Sequence, residues 1–184
     1  MLPAFVRLSS DLYGRICIGR ERSEALNLEF SYELIKAAGY QRTLIYDQDE
    51  MPTVEKWLEF LLQPQHWVFQ LYQDDGTPIA LAWLQACTLT GAQRFGHFTT
   101  LGTAPRELAI RAIQLMTYDV VAKFTEVEQY IGITPKCYRH AWKFAQELGF
   151  RKLAYLSHGV YCLGKRRDAI LSIWDIKNRE AVEA

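Results

Sequence analysis

Residues 129–150 constrain the fold more than any other stretch, because each structural boundary within them is marked. Residues 130–133 are apolar and β-branched, which predicts a short buried strand. Thr134 is a good N-cap, and Pro135 suits the first helical position because a missing N–H costs nothing there. Gly149 predicts the end of that helix. The stretch therefore predicts a strand, a helix and a second strand.

The elements upstream predict two helices followed by an antiparallel meander. Ser23 predicts the N-cap of a helix ending near residue 38, and a second helix runs from residue 52 or 53 to about 62. A polar turn at 47–50 separates them. Strands are predicted at 66–72, 78–89 and 93–101, with an Asp-Gly hairpin turn between the first two. Residues 5–8 favour a short strand, and residues 16–18 favour either a strand or a helical turn.

A third helix, from Pro105 at its first position to about residue 123, connects the strand at 93–101 to the strand at 130. Such a connection predicts two parallel neighbouring strands joined by a right-handed crossover. The 184 residues predict a single domain over 1–184. Within this one domain, the crossover predicts that the strand at 130 lies beside the strand at 93–101 in the same sheet.

Charge and cysteine usage exclude several classes of function. Lys plus Arg and Asp plus Glu both number 21, so no global field attracts nucleic acid or an anionic membrane, and neither is a predicted partner. The N-terminus has no signal-peptide layout, and no run is long enough to span a membrane. Cys17, Cys87, Cys137 and Cys162 form no CxxC pair, so no metal site is predicted. We expect a reducing, cytoplasmic setting, or a phage particle assembled there.

The helix at 136–148 carries a resemblance to a known family. Its apolar stripe consists of Tyr138, Ala141, Trp142, Ala145 and Leu148. Ala141 followed by Leu148-Gly149-Phe150 resembles the "A…LGF" helix end of the Gcn5-related N-acetyltransferase (GNAT) fold. The run at 168–174 resembles its last strand. The resemblance covers about residues 66–176 and is nearest to the short GNAT-like proteins of some tailed phages.

This resemblance implies both a fold and an activity. The fold is α+β (α/β/α), with a mixed, mostly antiparallel sheet of six to seven strands and about four helices. The two parallel strands would part near residues 98 and 131 and leave a slot for a pantetheine arm. The activity is acyl-CoA-dependent N-acyl transfer, with acetyl-CoA as cofactor and direct attack of an amine acceptor on the thioester.

In the GNAT family the cofactor pyrophosphate lies on N–H groups at the start of the third helix, within a loop of two glycines or a glycine and an alanine. This chain departs from that pattern, since its loop at 102–106 has one glycine and a proline. Arg106 can still pair with phosphate, whereas Glu107 would repel it, and the alternative is a helix start that holds nothing. The implied cofactor contacts are Thr99, Leu101, Gly102, Thr103, Ala104, Arg106, Tyr138, Ala141 and Trp142.

Two residues are candidates for catalysis under this resemblance. His97 alternates with other inward positions on the strand that would border the thioester, and a histidine of near-neutral pKa suits deprotonation of an amine. Tyr138 stands where the family often has an asparagine and would donate a proton to the thiolate. The family's usual tyrosine acid is replaced by Ala145. The structural alternative for His97 is a hydrogen-bonded strand histidine, and the alternative for Tyr138 is an aromatic side chain of the core.

The altered loop and Ala145 leave a second class of function open. The chain would then be a catalytically degenerate GNAT-fold protein, acting as a binding or phage-assembly module or as a homo-oligomer. Its partner surface would include the aromatic side chains of Trp57, Trp67 and Tyr72. Glu29 and Glu33, one helical turn apart, either present two carboxylates to an amine or form a solvated helix face.

Overall fold

The computed structural model describes residues 2–40, 52–87, 91–162 and 164–177. The predicted polar turn at 47–50 lies outside them. The described residues form one eight-stranded sheet with helices on both faces. None of the helices in these ranges is long and apolar enough to cross a membrane.

The strands are antiparallel to their neighbours except for one pair. In spatial order they run β1-β2-β3-β4-β5-β6-β8-β7, and only β5 and β6 are parallel. Their bounds are β1 Phe5–Arg7, β2 Leu12–Ile18, β3 His66–Gln73, β4 Pro78–Ala86, β5 Gln93–Thr100, β6 Gln129–Pro135, β7 Arg151–Cys162 and β8 Lys165–Asp175. The predicted α+β class is confirmed. The sheet has eight strands instead of six or seven because both N-terminal segments are strands.

Four helices accompany the sheet in the described residues: α1 Leu28–Ala37, α2 Val54–Leu61, α3 Arg106–Leu115 and α4 Arg139–Leu148. The helix α3 continues through a wider π-type turn at Met116–Val121 and ends after Ala122–Phe124. The second helix was predicted to begin at residue 52 or 53, and Thr53 is its N-cap, because its side chain accepts a hydrogen bond from the N–H of Lys56.

The predicted start of α1 at Ser23 is wrong, since Ser23–Ala25 forms only one 3₁₀ turn. Asn27 is the N-cap instead, and its side chain accepts from the N–H of Phe30 at 3.3 Å. A tertiary contact fixes this choice, because buried Gln70 bonds both to the N–H of Asn27 (2.9 Å) and to its carbonyl (3.1 Å). A sequence pattern does not show that partner, which lies 43 residues away.

The predicted capping of α4 by Thr134 and Pro135 is also wrong, because both residues belong to β6. The N–H of Lys136 donates to the carbonyl of Asp168 at 2.9 Å. In an antiparallel ladder the nitrogen of the preceding Pro135 must then point away from β8, towards a side where β5 no longer pairs. The missing N–H therefore costs no ladder bond, and the strand continues to Pro135.

Two hydrophobic cores lie on the two faces of the sheet. The α3 face contains Phe69, Tyr130 and Trp174 under α3 and α4, and the α1 face contains Val68 and Leu81 under α1 and α2. The α3 face is the side of the sheet covered by α3 and α4, and the α1 face is the side covered by α1 and α2. Alternate strand residues supply the two cores, as the pleat requires.

The predicted aromatic partner surface is wrong. Trp57 and Tyr72 are 2% and 6% exposed, and half-buried Trp67 lies beneath the guanidinium of Arg94, 3.5 Å from its ring centroid. Trp57 belongs to the α1-face core, Trp67 packs against the α3-face core, and buried Tyr72 stacks on Tyr13, so together they form no exposed aromatic surface.

Gly149 ends α4, as predicted. Its φ is +125°, and the N–H groups of Gly149 and Phe150 both donate to the carbonyl of Ala145, at 3.2 and 3.0 Å. A Cβ at Gly149 would lie 2.7 Å from the indole nitrogen of Trp174. The glycine therefore meets two requirements, a left-handed backbone and close approach to a core tryptophan.

Candidate functional site

The two parallel strands β5 and β6 pair over only three positions. Gln93, Arg94 and Phe95 face Gln129, Tyr130 and Ile131, and pairing stops there although both strands continue. The described backbone groups of β5 up to Thr100 and of β6 up to Pro135 then face one another across a gap instead of a ladder. The parallel neighbours and their parting confirm the predicted topology.

A cavity of about 290 Å³ occupies this gap. Its walls come from the parted ends of β5 and β6 and from the inner side of α4. The lining residues are Gln85, Phe95, Gly96, His97, Phe98, Ile131, Gly132, Ile133, Thr134, Pro135, Ala141, Phe144, Ala145, Leu148, Phe150 and Ser172.

Residues from both faces of the sheet line the cavity. Residues opposite one another in a ladder share a face, so His97 points to the α1 face with its partner Trp83. Phe98 points to the α3 face, where it packs against Tyr130 and Trp174. The lining therefore includes side chains from both faces of the sheet.

Two glycines stand on the α3 face of the strands just beyond the last paired residues. A Cβ at Gly96 would come within 2.6 Å of the ring of Phe98, and a Cβ at Gly132 within 2.7 Å of the Ser172 hydroxyl. Their missing side chains keep the gap open. Neither glycine was predicted as a site residue, although a glycine inside a strand often marks the close approach of a ligand or of another backbone.

His97 is part of the cavity wall. Its ring stacks on Trp83, with centroids 4.7 Å apart and planes within 5°. Burial, and secondarily the nearby His66, lower the pKa of His97 from 6.5 to about 4. The predicted near-neutral pKa is therefore wrong, because dense packing around the ring disfavours its charged form.

Of the α4 residues predicted to contact a cofactor, Ala141 lines the cavity and Trp142 packs into the α3-face core. Tyr138 is half-buried and packs instead in a small cluster that includes Val160 and Cys162. Ala145, the residue that the resemblance places at the position of a tyrosine acid, lines the cavity with its methyl group. The cavity wall and the predicted acid Tyr138 are thus separate.

The loop after β5 lies at the same end of the sheet as the gap, but none of its predicted contacts lines the cavity. Thr99 and Leu101 are buried, Gly102 has a φ of +58°, Thr103 is exposed and Ala104 packs against the α3-face core. Pro105 was predicted to be the first residue of the helix. It is instead the N-cap, the residue just before the helix. Its ψ is 133°, and its carbonyl accepts from Leu108 and Ala109.

Arg106 connects the start of α3 to α4. Its Nε lies 2.8 Å from an Oε of Glu147, and its guanidinium lies 5.4 Å from the ring centroid of Phe144, which lines the cavity. The positive group is therefore beside the gap, but a carboxylate already accompanies it. On α1, exposed Glu33 lies 4.0 Å from Lys36, which favours the interpretation of a solvated helix face.

No family model matches this chain, and no curated protein matches it in sequence. Solved structures do match it in fold. The ribosomal L7/L12 α-N-protein acetyltransferase RimL in complex with coenzyme A has a TM-score of 0.72 at 11% identity, over 94% of this chain and 98% of that one.

Two further structures are similar over nearly the whole chain. The ribosomal-protein-S5-alanine acetyltransferase of Vibrio fischeri has a TM-score of 0.68 at 13% identity, over 96% of this chain and 98% of that one. The spermidine N-acetyltransferase of Vibrio cholerae, in complex with CoA and spermine, has a TM-score of 0.64 at 14% identity, over 91% and 97%. At such identities the likeness concerns the fold.

Proposed function

We propose that this chain, which has the GNAT fold, is an acyl-CoA-dependent N-acyltransferase that acts on an amine. The parting of β5 and β6 after Phe95 and Ile131 carries the proposal. A gap lined from both faces of the sheet would let a thioester enter from one face and an amine approach from the other. In this proposal the amine attacks the thioester directly, with no covalent enzyme intermediate.

The gap suits a pantetheine arm. Its volume of about 290 Å³ lies at the small end of ligand pockets, which fits a narrow chain better than a whole nucleotide. Gly96 and Gly132 leave the width, and the unpaired backbone of both strands offers partners to the amides of such an arm. When bound, acyl-CoA would supply an activated thioester.

The start of α3 is the best place for the phosphates. The first N–H groups of a helix have no intrahelical partner, and the helix dipole favours an anion there. Arg106 adds a cation beside these groups, although Glu147 competes for it. We therefore assign the pyrophosphate to the N–H groups of Arg106 and Glu107 and to the Arg106 side chain, with weaker affinity than a glycine-rich loop would give.

His97 is the group that would receive the amine. With its pKa at about 4, the imidazole is neutral at physiological pH and can accept a hydrogen bond from an uncharged amine. It is too weak a base to deprotonate an alkylammonium ion efficiently. The acceptor must therefore arrive uncharged, and the rate should rise with pH. Tyr138 stays a candidate proton donor that must act from outside the cavity wall.

A second function has specific support. Ala145 offers no proton at the usual acid position, and Glu147 partly neutralises the cation that would hold phosphate. Both features favour a catalytically degenerate GNAT-fold protein that acts as a binding or phage-assembly module. The resemblance to tailed-phage proteins, the single domain and the cellular setting stay predictions.

Thermal unfolding with acetyl-CoA, CoA and adenosine 3′,5′-bisphosphate tests the proposal. A ligand at one hundred times its Kd stabilises the folded state by about 2.7 kcal/mol. We expect stabilisation by both CoA species and less by the bisphosphate, which lacks the arm. No stabilisation at millimolar acetyl-CoA would refute the function. Release of free CoA thiol with peptide N-termini, spermine and aromatic amines as acceptors then separates an enzyme from a binding module.

A further inference from the structure

Cys137 and Cys162 are 25 residues apart in sequence, yet their sulfur atoms lie 4.0 Å apart. Both are free thiols. Cys137 is exposed on the turn between β6 and α4, whereas Cys162, the last residue of β7, is fully buried. The fold therefore places an accessible thiol directly over a shielded one.

The groups around Cys162 affect its thiol in opposite directions. Burial raises the pKa of the Cys162 thiol above its usual value, and the neighbouring Cys137 raises it further. A hydrogen bond with Tyr138 and the charge of Arg167 act in the opposite direction and offset part of this shift. Arg167 is held in place, since its Nε donates to the carbonyl of Cys162 at 3.2 Å. A reagent from solution meets Cys137 first, and Cys162 reacts only with a sulfur already attached there.

We propose that Cys137 and Cys162 form a thiol–disulfide exchange site for low-molecular-weight disulfides such as glutathione disulfide. In the first step the Cys137 thiolate attacks one sulfur of the small disulfide, forms a mixed disulfide and releases one small thiolate. In the second step the Cys162 thiolate attacks the Cys137 sulfur and releases the other. The small disulfide is reduced by two electrons, and its two thiols take the two protons that the protein loses.

Closure of the protein disulfide needs little movement. A disulfide bond is about 2.05 Å long, so the sulfurs must approach by about 2 Å, which side-chain rotation of Cys137 on its exposed turn can supply. The bond would tie the turn that carries Tyr138 to the end of β7. The site uses no cavity residue and does not depend on the proposed acyl transfer.

The experiment exposes the reduced, folded full chain to glutathione disulfide, stops the reaction with acid and alkylates the remaining thiols. Trypsin cuts after Lys136, Arg139, Lys152 and Lys165, so the expected product is peptide 137–139 linked to peptide 153–165. The intact protein should lose the mass of two hydrogens and two of its four alkylation sites. Cys17 and Cys87 should remain thiols during the reaction and therefore be alkylated afterwards.

Single serine variants distinguish the two steps. The C162S variant should stop with one glutathione attached at Cys137, the C137S variant should not react, and C17S should behave as wild type. The mass of the intact wild-type protein shows by itself whether the protein disulfide forms, so this test does not depend on any variant. The proposal is overturned if the wild-type protein keeps all four thiols under excess glutathione disulfide, or if the wild-type protein accumulates only the mixed disulfide.

Discussion

Trp83 and His97 stack almost face to face, 4.7 Å between centroids and 5° from parallel, because they are paired across β4 and β5. The stack holds the imidazole at the cavity wall and covers one face of its ring. Its pKa of about 4 is a consequence of this packing. One cross-strand pair thus sets both the position and the protonation state of the residue proposed to receive the amine.

This stack should make the protein sensitive to acid. The pKa of His97 falls from 6.5 in the unfolded chain to about 4 in the folded one, so the unfolded state binds the extra proton between these values. Stability must therefore fall as pH falls from about 6.5 to 4, by up to about 3 kcal/mol from this residue. Urea unfolding at several pH values should show a shallower dependence for H97Q than for wild type. The exposed-histidine control H140Q should retain the wild-type dependence, and an equal slope in H97Q would contradict the assignment.

Filling the gap should abolish cofactor binding. Ala141 lines the cavity from α4, and a phenylalanine there would occupy much of its 290 Å³. We expect A141F to lose the thermal stabilisation by acetyl-CoA while keeping the fold, as judged by circular dichroism. The matched control is A154F on the exposed surface of β7, which should respond to acetyl-CoA as wild type does. Equal stabilisation of both variants would place the ligand elsewhere.

Arg106 and Glu147 should have opposite effects on CoA affinity. Loss of a charge-assisted hydrogen bond in R106Q should weaken Kd about tenfold to one-hundredfold. Removal of the competing carboxylate in E147Q should tighten Kd a few-fold, since the pair is 2.8 Å apart. Each change should alter the free energy of unfolding by less than about 1 kcal/mol, because the pair is partly solvated.

Calorimetric titration of both variants measures these affinities. The control R111Q removes an arginine of the same helix whose partner is Asp11, 3.3 Å away, and should leave Kd unchanged. Unchanged affinity in R106Q would remove the phosphate assignment but not the slot.

The glycine that ends α4 should be costly to replace. In G149A the new methyl meets the Trp174 indole at 2.7 Å, in addition to a backbone conformation that alanine resists. We expect a loss of about 2–4 kcal/mol in the free energy of unfolding. G39A is the matched control, because Gly39 follows α1 with a φ of +72° and has open space around it, so about 1 kcal/mol is expected. Similar losses in the two variants would show that contact with Trp174 has no effect.

The sequence by itself determined the order of elements from α1 onwards, the start of α2 near residue 53, the end of α4 at Gly149 and the crossover that makes β5 and β6 parallel. These features depend on backbone requirements satisfied within a few residues, which local patterns express. His97 and Ala141 both line the cavity, and their roles in catalysis and cofactor binding stay predictions.

Only the tertiary structure decided where the parallel strands part, which glycines keep the gap open and which residues meet across it. Asn27 caps α1 because of Gln70, Arg106 pairs with Glu147, and Cys137 meets Cys162. Each pair joins segments that are distant in sequence, so its distance depends on sheet register and helix packing, which no local pattern encodes. The same reason explains the pKa of His97, because burial is a property of the assembled fold.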